Sequence, residues 1–107
     1  MDLHHEIFGV IFLNRANKII KNEIVSQGGI AGTVADPRLI LRKAIMHRCS
    51  SMILYHNHPS GNTKPSKADE EITLKIKQAA SYIDVKILDH LIVSDEGYYS
   101  FADEGIL

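Results

Sequence analysis

The apolar run from Ser51 to Leu54 breaks at Tyr55, and the next sixteen residues read HNHPSGNTKPSKADEE. Two histidines stand one residue apart, turn-formers follow, and an acidic stretch closes the segment. A turn needs Pro, Gly and Asn; it does not need His-x-His. Side chains two apart on an extended segment share a side, so His56 and His58 aim at one point where a strand ends. Pro59, Ser60 and Gly61 turn the chain. Ser66 then opens a long helix in which Ile72, Ile76, Ala79, Ala80 and Ile83 recur at helical spacing. Asp69 sits on its first turn, three residues after Ser66 and on the same face. If the loop folds the helix start back over the strand end, His56, His58 and Asp69 meet.

The flanking sequence supplies the rest of a sheet. EIFGVIFL is a continuous apolar run with branched and aromatic residues, which reads as a strand buried on both faces. NRAN turns the chain, and KIIKNEIVSQ pairs back as a second strand that Gly28 and Gly29 end. IAGTV reads as a short strand. ADPRLILRKAIMHR is a helix, with Asp36 as N-cap and Pro37 at the first helical position, and Leu41, Ala44 and Ile45 form its apolar stripe. SMILY is a short buried strand. VKILDHLIVS is a strand with apolar residues on both faces, DEG turns, and YYSF closes the sheet. A hairpin followed by alternating helices and strands predicts one mixed α/β (α+β) sheet packed by helices. At 107 residues the whole chain, 1–107, is one domain.

Two imidazoles and a carboxylate suit zinc. Three protein ligands leave a fourth position for water, the pattern of a catalytic rather than a structural zinc site. Zinc brings the pKa of water down toward about 7, and hydrolysis then needs a general base, for which a glutamate is suited. The competing explanation is local: Ser66-x-x-Asp69 is also a near match to a helix capping box. The two roles are compatible, because the serine hydroxyl that accepts at a cap can still donate its own proton. Other histidines have plainer readings. His90 is a core histidine or a partner behind the ligands, His47 meets the dipole of its helix end, and His4 and His5 are surface. Asn57 points away from His56 and His58 and braces the loop. Cys49 is a small buried hydrophobe.

Composition removes several function classes. A formal net charge of -1, with scattered lysines and arginines, carries no electrostatic footprint for nucleic acid. A single cysteine excludes an intrachain disulfide and a cysteine-based zinc site, and points to a reducing compartment. It also excludes a zinc deaminase, which uses Pro-Cys-x-x-Cys. The apolar run Ile7 to Leu13 is too short for a membrane span and wrongly flanked for a signal peptide. A cytoplasmic location is therefore expected, and an exposed strand edge could pair with a second copy as a homo-oligomer.

The stretch HNHPSGNTKPSKAD resembles the JAMM signature of the JAB/MPN metallopeptidase superfamily, His-x-His, seven residues, Ser-x-x-Asp. With EIFGVIFLN, DPRLILRKAI and LDHLIVSDEGYYSFADEGIL around it, the chain is similar to the RadC branch over most of its length. The resemblance implies a JAB/MPN-like mixed central sheet of cytidine-deaminase-like architecture. RadC proteins usually carry an N-terminal helix-hairpin-helix region, so the chain is expected to correspond to the C-terminal domain of a longer protein, or to a short variant. The resemblance assigns His56, His58 and Asp69 to zinc, Ser66 to the oxyanion, and Glu6, at the start of the first central strand, to the general base. Glu23, Glu70 and Glu71 remain alternatives for the base. The implied activity is zinc-dependent hydrolysis of a peptide or isopeptide bond in an unidentified protein substrate. A repair or recombination accessory role, acting through partners or a separate DNA-binding region, and a metal-binding scaffold without turnover are the other readings.

Overall fold

Branched and aromatic side chains favour the pleated, half-buried surface of a sheet, and the two richest stretches form its central pair. In the computed structural model, which describes residues 5–28, 35–59 and 61–107, β1 (Ile7–Leu13) and β3 (Ser51–Asn57) lie side by side and antiparallel. β2 (Ile19–Gln27) hairpins back along the outer edge of β1. β4 (Lys86–Ser94) runs parallel to β3, and β5 (Gly97–Ser100) returns antiparallel beside β4. The resulting order is β2-β1-β3-β4-β5, a five-stranded mixed sheet with two helices, as the sequence led us to expect. The IAGTV segment, for which a strand was expected, lies outside the described residues.

The helices are α1 (Pro37–His47), between β2 and β3, and α2 (Lys67–Ser81), the crossover that a parallel β3–β4 pair requires. Asp36 caps α1 by accepting the Arg38 N–H at 2.9 Å, and Pro37 takes a position where a missing N–H costs nothing. Both helices cover one face of the sheet. Ile40 and Ala44 of α1 and Ile76 and Ala80 of α2 share a core with Phe8, Val10 and Phe12 of β1 and Met52 and Leu54 of β3. Full burial of each large apolar side chain contributes roughly 1.5–3 kcal/mol. The α1 stripe differs from expectation: Ile45 is 61% exposed, and Ile40 takes its place. Ile40 and Ala44 are four apart and share a face, whereas Ile45 is rotated by about 100° from Ala44. In α2 the buried line includes a polar residue, Thr73, between Ile72 and Ile76. Ile83 lies two residues past the helix end and is partly buried.

One irregularity in β4 positions the site. Met52 pairs with Ile87, but Ile53 pairs with Asp89, so Leu88 is an extra residue in β4. Such a bulge reverses the alternation of sides beyond it. Ile87 and His90, an odd number of residues apart, are therefore both buried on the helix-covered face. Among the described residues no helix is long and apolar enough to cross a membrane.

Candidate metal centre

His56 lies at the end of β3 and His58 is the residue just past it, and α2 begins nine residues after His58. Ser66 is the N-cap of α2. Its Oγ accepts the Asp69 N–H at 3.0 Å, and the Asp69 Oδ2 accepts the Ser66 N–H at 2.8 Å. The capping box is thus complete, and the same carboxylate turns inward. Asp69 Oδ1 lies 3.3 Å from His56 Nε2, and Oδ2 lies 3.2 Å from His58 Nε2. The two Nε2 atoms are 3.0 Å apart. Capping and convergence are one arrangement, because the box fixes the carboxylate where the imidazoles point.

The donor set fits a small divalent cation. Ligand atoms about 2.0–2.1 Å from zinc at tetrahedral corners are roughly 3.3 Å from one another, close to the separations here. The side chains are also oriented as ligands. The His58 Nδ1 faces the Asn62 carbonyl at 2.7 Å, so Nδ1 carries the proton and Nε2 presents a lone pair. Burial alone would raise the Asp69 pKa, but the hydrogen bonds from His56 and the Ser66 backbone outweigh it and hold the carboxyl far below the usual range. An ionised carboxylate facing two converging imidazole nitrogens can hold a metal ion, and this is the only such group among the described residues.

Behind the first histidine stands a second set. The His56 Nδ1 lies 2.7 Å from His90 Nε2, and His90 Nδ1 lies 2.5 Å from Thr73 Oγ1. The His56 ring stacks parallel to Phe8, and His90 stacks on Phe101. His90 has no solvent exposure. Burial first, and the neighbouring His56 second, push its pKa down to about 3, so the ring is neutral. The sequence left His90 as either a core residue or a partner of the ligands; it is both.

The candidate glutamates are well separated in their surroundings. Glu6 immediately precedes β1 and lines a cavity of about 150 Å³ together with His56, Asp69, Phe8, Ala68 and Ile72. Glu23 is elsewhere: its Oε2 lies 3.1 Å from His47 Nε2 and 3.4 Å from Lys43 Nζ. The hydrogen bond with His47 lowers the Glu23 pKa, against a smaller opposing effect of burial, with Lys43 adding to the lowering. His47 does sit in the last turn of α1, but its partner is this carboxylate and its ring packs on Phe12. Glu70 and Glu71 are exposed on α2. Cys49 is buried as expected, and burial raises its thiol pKa.

Two residues acquire roles that the sequence reading did not assign. Asn57, between the ligands and fully buried, bonds the chain on either side of Glu6. Thr73 lies four residues after Asp69, a spacing that puts both on one helix face. That spacing was the available signal. A larger hollow of about 620 Å³ lies at the other end of α2, beside Lys77, Ser81 and Lys86, and gathers no comparable ligand set.

Comparison with known proteins agrees with this geometry. The sequence model of the family described as RadC-like JAB domain matches residues 1–106. A UPF0758 protein of Flavobacterium johnsoniae is 53% identical over 105 residues, covering 98% of this chain and 46% of that protein. A UPF0758 protein of Porphyromonas gingivalis is 48% identical over 107 residues, covering 99% of this chain and 47% of that protein. The UPF0758 protein YfjY of Escherichia coli (strain K12) is 41% identical over 105 residues, covering 98% of this chain and 66% of that protein. The chain thus spans about half the length of the first two.

Proposed function

This chain belongs to the RadC-like JAB domain family, and on that premise we propose that it is a zinc-dependent hydrolase of the JAMM type, cleaving a peptide or isopeptide bond. The observation that carries the reading is the meeting of His56 Nε2, His58 Nε2 and the Asp69 carboxylate within 3.0–3.3 Å, beside a cavity that Glu6 also lines. A zinc ion held by these three side chains would supply Lewis acidity and bring the pKa of water toward about 7.

The remaining tasks belong to the protein. Glu6 accepts a proton from the attacking water and delivers it to the leaving amine, as a general base that becomes a general acid. Ser66 is bound as an acceptor to the Asp69 N–H, which leaves its hydroxyl proton to donate to an oxyanion. Donors of this kind contribute about 3 kcal/mol of transition-state stabilisation. Phe8, Ala68 and Ile72 give the cavity an apolar wall against which a substrate side chain can exclude water. The substrate is a protein or peptide, and its approach requires neither a nucleic acid nor a membrane.

The test combines metal analysis with turnover. Protein purified without chelator should carry about one zinc per chain, and hydrolysis of a mixed peptide and isopeptide panel should vanish in Glu6→Gln while the zinc stays. Absence of zinc would defeat the reading as a whole. Zinc with unchanged turnover in Glu6→Gln would defeat the assignment of the base alone, and zinc with no turnover on any substrate favours a metal-binding scaffold.

A further inference from the structure

The central strands are apolar on both of their faces, and the helices cover only one. On the covered side, α1 and α2 share a core with Val10 and Phe12 of β1 and Met52 and Leu54 of β3. On the other side the register aligns residues in rows across the sheet. Ile24 of β2, Gly9 of β1, Tyr55 of β3 and Leu91 of β4 form one row, and Ile11 and Ile53 stand side by side in the next. None of the apolar side chains in these rows is part of the core. Ile11, Ile53, Tyr55 and Leu91 are only partly buried, and Ile24 is 50% exposed. Among the described residues no helix or second sheet lies over them.

Two features suit this face to a further layer. It has little relief, because the Tyr55 ring lies over Gly9 in the space that a Cβ would take. The Tyr55 hydroxyl donates to Asn22 Oδ1 on β2, which holds the ring down across β1 and fills the hollow over a strand glycine. The face is also neutral. Asp89, opposite Ile53, is the one charged residue in these rows, and its carboxylate accepts the Ser100 hydroxyl and the Ala102 N–H. Strands that are apolar on both faces belong to sheets with both faces covered.

We infer that the open face of the sheet is a dimer interface, on which a second copy of this chain packs sheet against sheet. An apolar, neutral patch can meet its own copy about a two-fold axis without setting charge against like charge. The size is sufficient. Five strands about 4.8 Å apart, and seven residues of β1 at about 3.3 Å each, span a face of roughly 550 Å². Two copies together bury about 1,100 Å², above the roughly 1,000 Å² expected of a specific interface. Sheets stacked in this way lie about 10 Å apart with their strands nearly aligned. His56 is on the helix-covered side, opposite Phe8, so the candidate metal centre stays open in both copies, and the interface does not depend on how that centre is read.

The test is sedimentation equilibrium of the whole chain over a hundredfold range of concentration. Wild type should be dimeric at tens of micromolar, with a thermal midpoint that rises with concentration. Ile53→Lys and Leu91→Lys each set a charge in the middle of the face and touch no core residue. Both should be monomeric where wild type is dimeric, with midpoints independent of concentration. Ile45→Lys, at an exposed position on α1, should stay dimeric. Isotope-filtered NMR of mixed labelled and unlabelled wild type should show contacts between copies at the Ile11, Ile53 and Leu91 methyls, a readout that needs no variant to fold. A monomeric wild type at tens of micromolar overturns the inference and leaves the face to a different partner. So does a dimer whose contacts between copies lie elsewhere, such as the β2 edge, or one that survives in folded Ile53→Lys and Leu91→Lys.

Discussion

Asn57 brackets Glu6: its Oδ1 accepts the Ile7 N–H and its Nδ2 donates to the His5 carbonyl, both at 2.7 Å. The residue between two metal-ligand candidates on β3 thereby holds the start of β1, where the proposed base stands. His56 and Glu6 come from strands that pair directly, Phe8 opposite His56, and Asn57 fixes the last residues before that pairing begins.

Asn57→Ala should therefore separate positioning from metal binding. It removes partners from two main-chain groups around a fully buried side chain, a loss of about 1–3 kcal/mol in stability. Hydrolysis should drop by at least roughly tenfold as Glu6 loses its orientation, while zinc affinity stays within about twofold, since no ligand is touched. Denaturant midpoints, turnover and chelator competition on the same preparation check all three. A parallel loss of zinc would show that Asn57 supports the ligands instead.

Two substitutions at Asp69 should distinguish its roles. Asp69→Asn keeps an acceptor for the Ser66 N–H but removes the charge, so the helix cap survives while metal affinity collapses. Asp69→Ala loses both, and the metal-free protein should be less stable than Asp69→Asn by about 1 kcal/mol. Elemental analysis and urea unfolding of metal-free protein read the difference. Equal stability of the two variants would mean that the carboxylate contributes nothing to the cap.

Metal removal should cost stability by mass action. A ligand that binds only the folded chain stabilises it by about 2.7 kcal/mol at a hundred times its Kd. Chelation should lower the thermal midpoint of the wild type and have no effect on the double variant His56→Ala, His58→Ala. A thermal midpoint that ignores both chelator and added zinc counts against a metal at this site.

Gly9 should resist enlargement. It pairs across strands with Tyr55, and a Cβ at Gly9 would run into the end of the Tyr55 ring, whose hydroxyl donates to Asn22 Oδ1 at 2.5 Å. Gly9→Ala must displace the ring and break that bond, at a cost of about 1–3 kcal/mol. In a Tyr55→Ala background the same change should cost much less, a coupling that a double-mutant cycle measures. Additive effects would show that the ring is not what excludes a side chain.

The Glu23–His47–Lys43 cluster should make stability fall in acid. The folded pKa of Glu23 lies below its ordinary value of 4.5. The charged form is favoured in the native state, so its contribution is present above the unfolded pKa and is lost as pH falls through the folded one. Glu23→Gln should be less stable than wild type at pH 7 by roughly 0.5–1 kcal/mol, and the two should converge once the pH falls below the folded pKa of Glu23. A difference that persists unchanged at low pH would assign the effect to packing rather than charge.

The local pattern carried far in this chain. The strand end with His56 and His58, the loop, and the helix that begins at Ser66 with Asp69 on its first turn were all legible, because each rests on short-range rules: alternation in a strand, i to i+3 in a helix, and cap chemistry at its start. The same rules placed Asp36 and Pro37 at the start of α1. They failed where spatial neighbours outvote sequence neighbours. Ile45 looked as apolar as Ile40, but only the docking of α1 on the sheet decides which one is covered. His90 could not be placed by counting from Ile87, because the extra residue Leu88 arises from pairing with β3 and changes the parity of the strand. Asn57 looked like loop support, and its partners lie fifty and fifty-two residues away. The sequence by itself determined which residues could ligate a metal, and that they would meet if the short loop between His58 and Ser66 folded the helix start back over the strand end. Only the tertiary structure decided which nitrogen of His56 faces the site and which glutamate stands beside it, because both depend on long-range hydrogen bonds whose partners no local spacing can specify.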